Sequence, residues 1–458
     1  MLWRKTSCGF SYDLSFGFAR NTSTVEYELY SPAEGFSSSA IGSVRYGQLN
    51  RSFVYSYTPQ GNISAVTDGD RQSTYQYDEI NQLIRENNAY LNKTVTYSYD
   101  AGGNILSKTA YPYTTGSLEG QTGETVTYSY GDSEWKDLLT AYNGQAITYD
   151  EIGNPLSYKN GFTFTWQNGR RLATAAANGK ALSFAYNESG IRTQKTVDGV
   201  TTEYYLDGST VLAQKTGNNT VWYYYDCNGT REALEYGGQV YYYLYNAQGD
   251  VMALYDNDLN IVTEYTYDSW GRVLSITGSL AETVGKANPF RYRGYYYDSE
   301  TELYYLNSRY YDPETGRWIN ADDHEIIDGE NDHILENNIF AYCMNNSVNK
   351  FDPDGYWALA ITGGYLVTAG SVGVTNAWNP IGWIVLGTVA ITATIIVGVA
   401  IYNSVKSSSD PDPYARPGQK KQGRERKYKA RKNNKWKPRS NPKKPKKHTP
   451  GRGHRKYK

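Results

Sequence analysis

The chain alternates aromatic or β-branched residues with polar ones over most of its length. About every 20 residues the same short polar segment interrupts this alternation. Each unit reads aromatic, any residue, aromatic, Asp or Asn, two variable residues, Gly, Asn or Arg, and then an apolar pair. Two-residue periodicity on both sides of a turn signal is typical of a strand–turn–strand hairpin. Asp or Asn accepts a local hydrogen bond at the start of such a turn, and Gly supplies positive φ near its end. One hairpin is therefore predicted per repeat.

The second aromatic residue of each unit marks the repeat. The markers are Tyr57, Tyr77, Tyr99, Tyr130, Tyr149, Trp166, Tyr186, Tyr205, Tyr225, Tyr245 and Tyr267. Isolated hairpins are marginally stable in water, so the units are expected to pair side by side in a long antiparallel sheet. Residues 45–288 are thus predicted to be a mostly β repeat region, and residues 1–44 a partial or degenerate repeat. The tyrosines are predicted to pack between strands, the alternative being an aromatic surface that binds glycans.

Composition adds few constraints to this prediction. The chain has 47 tyrosines among 458 residues, which suits a half-buried sheet whose side chains keep a polar tip. Three distant cysteines, Cys8, Cys227 and Cys343, indicate neither a disulfide framework nor a zinc site. No metal or cofactor is predicted. The N-terminus has no secretory apolar run, and it opens on repeat-like material. We therefore expect this sequence to be a fragment, with any export signal upstream.

The repeat pattern ends after residue 288, and a different sequence follows. Residues 289–356 contain FRYRGYYYDSETELYYLNSRYYDPETGRWINADD and then NIFAYCMNNSVNKFDPDGY. These two segments, together with the upstream repeats, closely resemble the Rhs/YD-repeat family with its repeat-associated core. The resemblance covers roughly residues 45–356 and implies YD hairpins wound into a spiral β-shell, as in bacterial Rhs proteins, insecticidal toxin complexes and teneurins.

In bacterial members, the resemblance implies a core that cuts its own chain just after the Asp-Pro-x-Gly phrase. The predicted cleavage site here is at Gly355 and Tyr356, with expected fragments near 1–356 and 357–458. Asp322 and Asp352 match the family positions of an aspartic pair, in which one carboxyl acts as an acid while the other activates water. Arg317 is the candidate to orient a carboxylate or the carbonyl that is cut.

Departures from the family pattern leave alternatives open. Tyr356 stands where the family usually has leucine, and Asn346-Ser347 stands where it has Asn-Pro. Asp323 occupies a common proline position, so Asp322 and Asp323 could exchange roles. Asp-Pro-x-Gly also fits an ordinary type I turn, with Asp first, Pro second and Gly fourth. A turn is compatible with cleavage, since it can present a peptide bond to the two carboxylates.

Residues 357–402 contain no charged side chain. The run 381–401 is long enough to cross a bilayer as a helix, with Trp383 and Tyr402 placed as interfacial anchors. The glycine-rich first half is a weaker candidate for a second span. This apolar segment is predicted to be a helical transmembrane or translocation element. The alternative is a segment buried inside the shell.

Net charge divides the chain sharply. Residues 1–402 hold 25 Lys and Arg against 44 Asp and Glu, whereas residues 403–458 hold 21 against 3. The region 403–458 cannot build a core, so a disordered tail is predicted. Its basic part, 416–458, is expected to bind nucleic acid or anionic lipid. His448 and His454 are the only acid–base candidates there, and no recognisable toxin motif surrounds them.

Two functional hypotheses follow. The first is a bacterial Rhs-type polymorphic toxin component, secreted, surface-exposed or membrane-bound, whose shell holds its own C-terminal segment until the core releases it. Its expected partners are an immunity protein and a delivery machine. The second is a membrane-anchored cell-surface protein that binds glycans or neighbouring cells and has no enzymatic activity.

Overall fold

The structure is a computed structural model, and it describes residues 3–6, 9–12, 25–30, 40–226, 229–322, 335, 338–356 and 358–361. All of them belong to one compact unit, Met1–Ile391. The predicted membrane run 381–401, the tail 403–458, Asp323, Cys8 and Cys227 lie outside the described residues. Within the described ranges, no helix is long and apolar enough to cross a membrane.

The first large sheet has 13 described strands, each hydrogen-bonded to the next one in sequence. They are β1 Trp3–Thr6, β2 Gly9–Tyr12, β3 Val25–Leu29, β4 Ile41–Tyr46, β5 Arg51–Tyr57, β6 Ile63–Asp68, β7 Arg71–Tyr77, β8 Leu83–Asn88, β9 Lys93–Tyr99, β10 Ile105–Pro112, β11 Glu124–Ser129, β12 Ala141–Tyr142 and β13 Gln145–Ala146.

The second large sheet has 14 described strands, also in sequential order. They are β14 Thr148–Tyr149, β15 Pro155–Ser157, β16 Thr163–Gln167, β17 Arg171–Ala177, β18 Lys180–Tyr186, β19 Arg192–Val197, β20 Val200–Asp207, β21 Thr210–Thr216, β22 Asn219–Tyr225, β23 Arg231–Tyr236, β24 Gln239–Tyr245, β25 Val251–Tyr255, β26 Ile261–Tyr267 and β27 Val273–Thr277.

Two small sheets and short helical turns follow or interrupt these sheets. One small sheet holds β28 Tyr296–Asp298, β29 Leu303–Leu306, β30 Arg309–Asp312 and β31 Arg317–Trp318, and the other holds β32 Lys350–Phe351 and β33 Leu359–Ala360. The helical turns are Lys159–Gly161, Ala281–Gly285, Tyr292–Gly294 and Tyr342–Asn345. The described chain is therefore mostly β, as predicted.

The turn chemistry predicted for the repeat is present in the hairpins. In the β9–β10 turn, the Asp100 side chain accepts hydrogen bonds from the backbone N–H groups of Gly102 and Asn104, at 2.9 and 2.8 Å. Gly103 has φ +79°, a conformation that L side chains rarely adopt. Asp78 and Asp150 make the same bonds to the residues two and four positions ahead. A side chain thus closes each of these turns.

The marker aromatics pack between strands, and they also tie each repeat to the one before it. Nine tyrosine hydroxyls donate to a backbone carbonyl of a preceding unit, at 2.5–2.9 Å, and the Trp166 indole does the same to Pro155 at 2.7 Å. The nine are Tyr57, Tyr77, Tyr99, Tyr130, Tyr149, Tyr186, Tyr225, Tyr245 and Tyr267.

Tyr205 is wrongly predicted as a marker. The unit reads Tyr204-Tyr205-Leu206-Asp207, so the position directly before the aspartate belongs to Leu206. Leu206 packs against the core, while Tyr205 points to the other face of β20 and is 46% exposed. Alternation along a strand fixes the face of a side chain, and a one-residue slip in the assigned register reverses it.

The main apolar core joins both large sheets to the segment after residue 288. Tyr46 of β4 donates to the carbonyl of Tyr245 on β24 at 3.0 Å, which connects the two large sheets. Tyr292, Tyr304, Tyr311 and Tyr342 are fully buried beside them. The described residues of the block 289–356 are therefore an integral part of the core, and they include the residues of the candidate site.

Candidate functional site

The Asp352-Pro353-Asp354-Gly355 turn is closed by the Asp352 side chain. Its Oδ1 accepts hydrogen bonds from the backbone N–H groups of Gly355 at 2.8 Å and Tyr356 at 3.1 Å. The Asp352 N–H donates to the Tyr295 hydroxyl at 2.8 Å, and Asp352 is 2% exposed. The phrase is thus a turn, and it places the Gly355–Tyr356 peptide bond against the Asp352 carboxylate.

Arg309 brings both predicted aspartates together. Its Nη1 lies 2.6 Å from Oδ2 of Asp322, and its Nη2 lies 3.3 Å from Oδ2 of Asp352. Its Nε donates to the carbonyl oxygen of Gly355. One buried guanidinium therefore contacts two carboxylates and the carbonyl of the predicted cut. Such planar, multi-donor recognition is the property that distinguishes arginine from lysine.

The chain path around β30 and β31 explains how Asp322 reaches Arg309. The backbone N–H of Ile319 donates to the carbonyl of Tyr310 at 3.0 Å. The Tyr310 N–H donates to the Asn320 side chain at 3.1 Å. These bonds fold the segment after β31 back along β30, and Asp322 arrives beside Arg309 with 7% of its surface exposed.

Arg317 has other partners than the predicted carboxylates. Its Nη2 donates to the carbonyl of Asp137 at 2.8 Å, and its guanidinium faces the rings of Tyr130 and Phe340 at 5.2 and 5.9 Å. Among the described contacts, Arg309 is the arginine that pairs with Asp322 and Asp352. Sequence reasoning missed Arg309, because SRYYD reads as one more aromatic strand. The available signal was a basic residue at the start of a short, fully buried strand that contains two tyrosines.

Burial dominates the electrostatics of the site. It lowers the pKa of Arg309, against the opposing effect of Asp322 and Asp352, yet an arginine remains charged at physiological pH. Burial, and next the negative charge of Asp352, raises the pKa of Asp354. The same two causes raise the pKa of Cys343, which keeps its thiol protonated and unsuited to nucleophilic attack. The chemistry available here is that of two carboxyl groups and a guanidinium.

The described residues contain no group of three His, Cys, Asp or Glu side chains arranged to hold a metal ion. The carbonyl of Gly355 already has a positively charged donor, and the nitrogen of Tyr356 already faces a carboxylate. The carbonyl oxygen and the nitrogen of one peptide bond thus contact an arginine and an aspartate.

Comparison with known proteins agrees with the repeat architecture and the core block. Residues 59–348 match the family model of the teneurin YD-shell. The chain belongs to the YD-shell family. The tRNA nuclease WapA of Bacillus subtilis (strain 168) is 34% identical over 297 residues, which cover 63% of this chain and 12% of that protein. The double-stranded DNA deaminase toxin A of Burkholderia cenocepacia (strain H111) is 24% identical over 361 residues, covering 70% of this chain and 23% of the toxin.

The fold also resembles solved structures. The crystal structure of TcdB2-TccC3-Cdc42 superposes with a TM-score of 0.55 at 21% identity, over 72% of this chain and 18% of that one. At this identity, the match concerns the fold alone. The chain spans about an eighth of the length of WapA and under a quarter of the deaminase toxin.

Proposed function

We propose that this YD-shell chain is part of an Rhs-type polymorphic toxin, and that its core hydrolyses the peptide bond between Gly355 and Tyr356. The observation that carries the proposal is the position of Arg309. Its guanidinium contacts Asp322, Asp352 and the carbonyl oxygen of Gly355 at once. A structural turn alone requires only the hydrogen bonds that the Asp352 side chain accepts from its own loop.

The proposed reaction is the addition of water to the carbonyl carbon of Gly355. A carboxylate takes one proton from the water while the new C–O bond forms, and Arg309 Nε–H stabilises the negative charge on the carbonyl oxygen. The C–N bond then breaks, and the Tyr356 nitrogen leaves as an amine after receiving a proton. The products are a Gly355 carboxylate and a new amino terminus at Tyr356.

The contacts favour different roles for the two aspartates. The Tyr356 N–H donates to Asp352 Oδ1 at 3.1 Å, so Asp352 lies beside the leaving nitrogen and can give it a proton once water has added and the lone pair of the pyramidal nitrogen faces the carboxyl group. Asp322 has the shorter ion pair with Arg309, 2.6 Å against 3.3 Å, which stabilises its negative charge and suits it to activate water. In this assignment, Asp322 is the base and Asp352 the acid.

The segment released by this cut would be 356–458, which carries the apolar run 381–401 and the basic stretch 416–458. The apolar run supports a role in crossing or entering a membrane, and the basic stretch supports binding to nucleic acid or anionic lipid. We assign this segment as the cargo of the shell, with an immunity protein and a delivery machine as further partners. The setting is bacterial, secreted or at the cell surface, as for a toxin that acts outside its producer.

Mass analysis of the purified protein tests the cut. The wild type should give fragments 1–355 and 356–458, and Asp352→Asn, Asp322→Asn and Arg309→Lys should each reduce cleavage by on the order of 100-fold or more. Asp150→Asn is the matched control, because Asn187 and Asn246 occupy the same turn position in other repeats. An intact wild-type chain, or cleavage that persists in both Asp322→Asn and Asp352→Asn, would refute the proposed hydrolysis.

A second function, glycan binding without catalysis, is favoured by one surface of the second sheet. Tyr205, Trp222 and Tyr224 are 43–48% exposed on β20 and β22. Tyr205 and Trp222 flank Ala213 in one cross-strand row, and the Tyr224 hydroxyl donates to Glu235 at 2.6 Å. Exposed rings beside a carboxylate suit stacking on a sugar and hydrogen bonding to its hydroxyls. An intact chain in the mass experiment would leave this function as the better account.

A further inference from the structure

Two repeats carry an arginine at a position where other repeats carry an apolar residue. The position is the cross-strand partner of the marker aromatic, and Leu83 and Leu172 occupy it in two repeats with 0% of their surface exposed. Arg192 and Arg231 occupy it in two others, with 2% and 4% of their surface exposed. A guanidinium at such a buried position requires a counter-charge and acceptors for its N–H groups.

Arg192 has its counter-charge inside the protein. Its Nη1 lies 2.6 Å from Oδ2 of Asp298, and its Nη2 donates to Oδ1 of the same residue at 3.1 Å. Lys195 pairs with Asp298 at 3.0 Å and with Glu300 at 2.9 Å. Two positive and two negative side chains therefore balance each other around Arg192.

Arg231 has no carboxylate partner among the described residues. Its Nε donates to the Tyr225 hydroxyl at 3.2 Å, and its Nη1 lies 3.5 Å from the carbonyl oxygen of Gly294. The Phe290 ring lies over the guanidinium, with its centroid 3.2 Å from the central carbon. Such a ring covers a face of the group, whereas the N–H donors point outward in its plane. Nη2 is thus left without an acceptor in the described part of the chain.

Arg231 lines a cavity of about 100 Å³, which we call the Arg231 cavity. One water needs only about 10–15 Å³ on this measure, so the cavity has room for a small molecule. Ser209, Thr210 and Asn307 also line it, and the described residues offer no hydrogen-bond partner to these three side chains. The wall further includes apolar side chains such as Ile191. The cavity therefore combines one unmatched positive charge, neutral hydrogen-bonding groups and apolar surface.

We propose that the Arg231 cavity binds a small carboxylate. A single carboxylate would supply the counter-charge that Arg231 lacks and accept hydrogen bonds from its Nη2, while a short apolar stem would lie against the rest of the wall. A phosphate dianion fits less well, because it brings a second negative charge and because Asp354 also borders the cavity. Arg309, Asp322 and Asp352 do not line the cavity, so this site is independent of the proposed hydrolysis.

The carboxylate can belong to a free acid or to an aspartate or glutamate side chain of a bound polypeptide. Propionate represents the free acid, and glutamate with an acetylated amino group and an amidated α-carboxyl group represents the side chain. Tighter binding of propionate would identify a free acid as the ligand. Tighter binding of the blocked glutamate would identify a side chain, because its added amide groups would then have room at the mouth of the cavity.

Binding of these probes to the full chain tests the site. Saturation-transfer NMR should give a dissociation constant for propionate of about 1 mM, and propionamide, which has no charge, should bind about 10-fold more weakly or worse. Arg231→Leu should weaken propionate binding by about 10-fold or more. Arg71→Leu is the matched control, since Arg71 is exposed on β7 and faces the Tyr90 ring at 5.3 Å. It loses the same charge and a similar ring contact, and it should bind propionate like the wild type.

Two outcomes of the binding experiment would overturn the proposal. One is equal propionate binding by the wild type and Arg231→Leu. The other is that neither propionate nor the blocked glutamate binds the wild type. If Arg231→Leu does not fold, Arg231→Lys takes its place, because lysine keeps the charge but lacks the planar set of donors and should weaken binding by about 10-fold.

Thermal unfolding separates a ligand site from a structural arginine. In chloride buffer, Arg231→Leu should be at least as stable as the wild type, because it removes an unpaired buried charge and leucine already occupies this position in the repeat of Leu83. Propionate at roughly 100-fold above its dissociation constant should raise the Tm of the wild type by about 3 °C and leave that of Arg231→Leu unchanged. A lower Tm of Arg231→Leu in chloride, together with equal propionate shifts in both chains, would show that Arg231 is structural and refute the site.

Discussion

At the scale of single residues, tyrosine hydroxyls link each repeat to a preceding one. A tyrosine ring fills the space between strands as phenylalanine would, but its hydroxyl must find a partner when buried. Here the partner is a backbone carbonyl of a preceding repeat, as in the 2.5 Å bond from Tyr99 to Leu83. Burial raises the pKa of Tyr99 well above its usual value, so it stays a hydrogen-bond donor. This bond accounts for tyrosine, in preference to phenylalanine, at the marker position.

Tyr99→Phe is therefore expected to destabilise the fold. It keeps the ring and removes the donor to Leu83, which should lower the free energy of unfolding by about 1 kcal/mol. Urea unfolding of an uncleaved Asp352→Asn chain measures this difference. Tyr205→Phe is the control, because Tyr205 is half exposed and its hydroxyl should contribute nothing measurable. Equal losses in the two variants would show that the hydroxyl bond to the preceding repeat does not stabilise the sheet.

Tyr205, which was assigned to the wrong face, and Arg309, which was not identified, show what a sequence pattern can and cannot provide. Tyr205 was misread because two adjacent tyrosines precede Leu206, and only the spacing to Asp207 identifies the inward position. Arg309 was missed because its partners, Asp322, Asp352 and Gly355, are between 13 and 46 residues away along the chain. The two aspartates could be predicted from the sequence motifs that contain them. Arg309 meets Asp322 because the chain after β31 folds back along β30, and no local spacing in the sequence indicates this.

At the scale of elements, the hairpins were predictable because each rule is local. Asp or Asn closes the turn, Gly takes the positive φ, and the alternation of apolar residues sets the register. The contact between the two large sheets was not predictable. Glu86 on β8 accepts hydrogen bonds from Tyr97 and from Ser269, which lies between β26 and β27. A buried carboxyl thus links strands that are more than 170 residues apart.

Glu86 should make this contact sensitive to pH. Burial, and next the negative charge of Asp268, raises the pKa of Glu86 above its usual 4.5. A group whose pKa is higher in the folded state favours folding when protonated, so its contribution is full below about pH 4.5 and is lost as pH rises through the raised value. Each unit of such a shift corresponds to about 1.4 kcal/mol. The contact is expected to be weaker at neutral pH than in mild acid.

Glu86→Gln should flatten this dependence. The amide keeps the shape and hydrogen bonding of the protonated acid, so the variant should be more stable than the parent at pH 8 and similar to it at pH 4.5. Thermal unfolding of the uncleaved chain between pH 4.5 and 8 measures the effect. Glu203→Gln, on the exposed face of β20, controls for the loss of one negative charge. A parent and a Glu86→Gln chain with parallel pH curves would contradict the assigned role of Glu86.

At the scale of the whole molecule, the block after residue 288 is tied to the repeats by buried ion pairs. Asp298 lies 2.6 Å from Arg192 of β19 and 3.0 Å from Lys195, and Arg293 lies 3.0 Å from Asp250. Removing one partner of such a pair leaves an uncompensated buried charge. Separating the block from the repeats would therefore cost free energy, because these charges would lose their partners. The position of the Gly355–Tyr356 bond then depends on the core, and it does not depend on the composition of the segment that follows.

The last prediction concerns that segment. Residues 416–458 carry 20 Lys and Arg and one acidic residue, in a chain whose first 402 residues hold an excess of 19 acidic groups. Nucleic-acid binding by the full chain should therefore depend on this stretch, because the acidic excess of the rest repels nucleic acid. Neutralisation of several phosphates gives a steep inverse dependence on salt, since log K falls by about 0.9 per phosphate contact for each decade of salt. Filter-binding titrations of duplex DNA between 50 and 200 mM NaCl measure this dependence. Over that salt range, a protein with six or more phosphate contacts loses about a thousandfold in affinity or more. A chain that ends at residue 415 should show neither the binding nor the salt dependence. If the truncated chain retains DNA as well as the full one at low salt, the basic stretch has no such role.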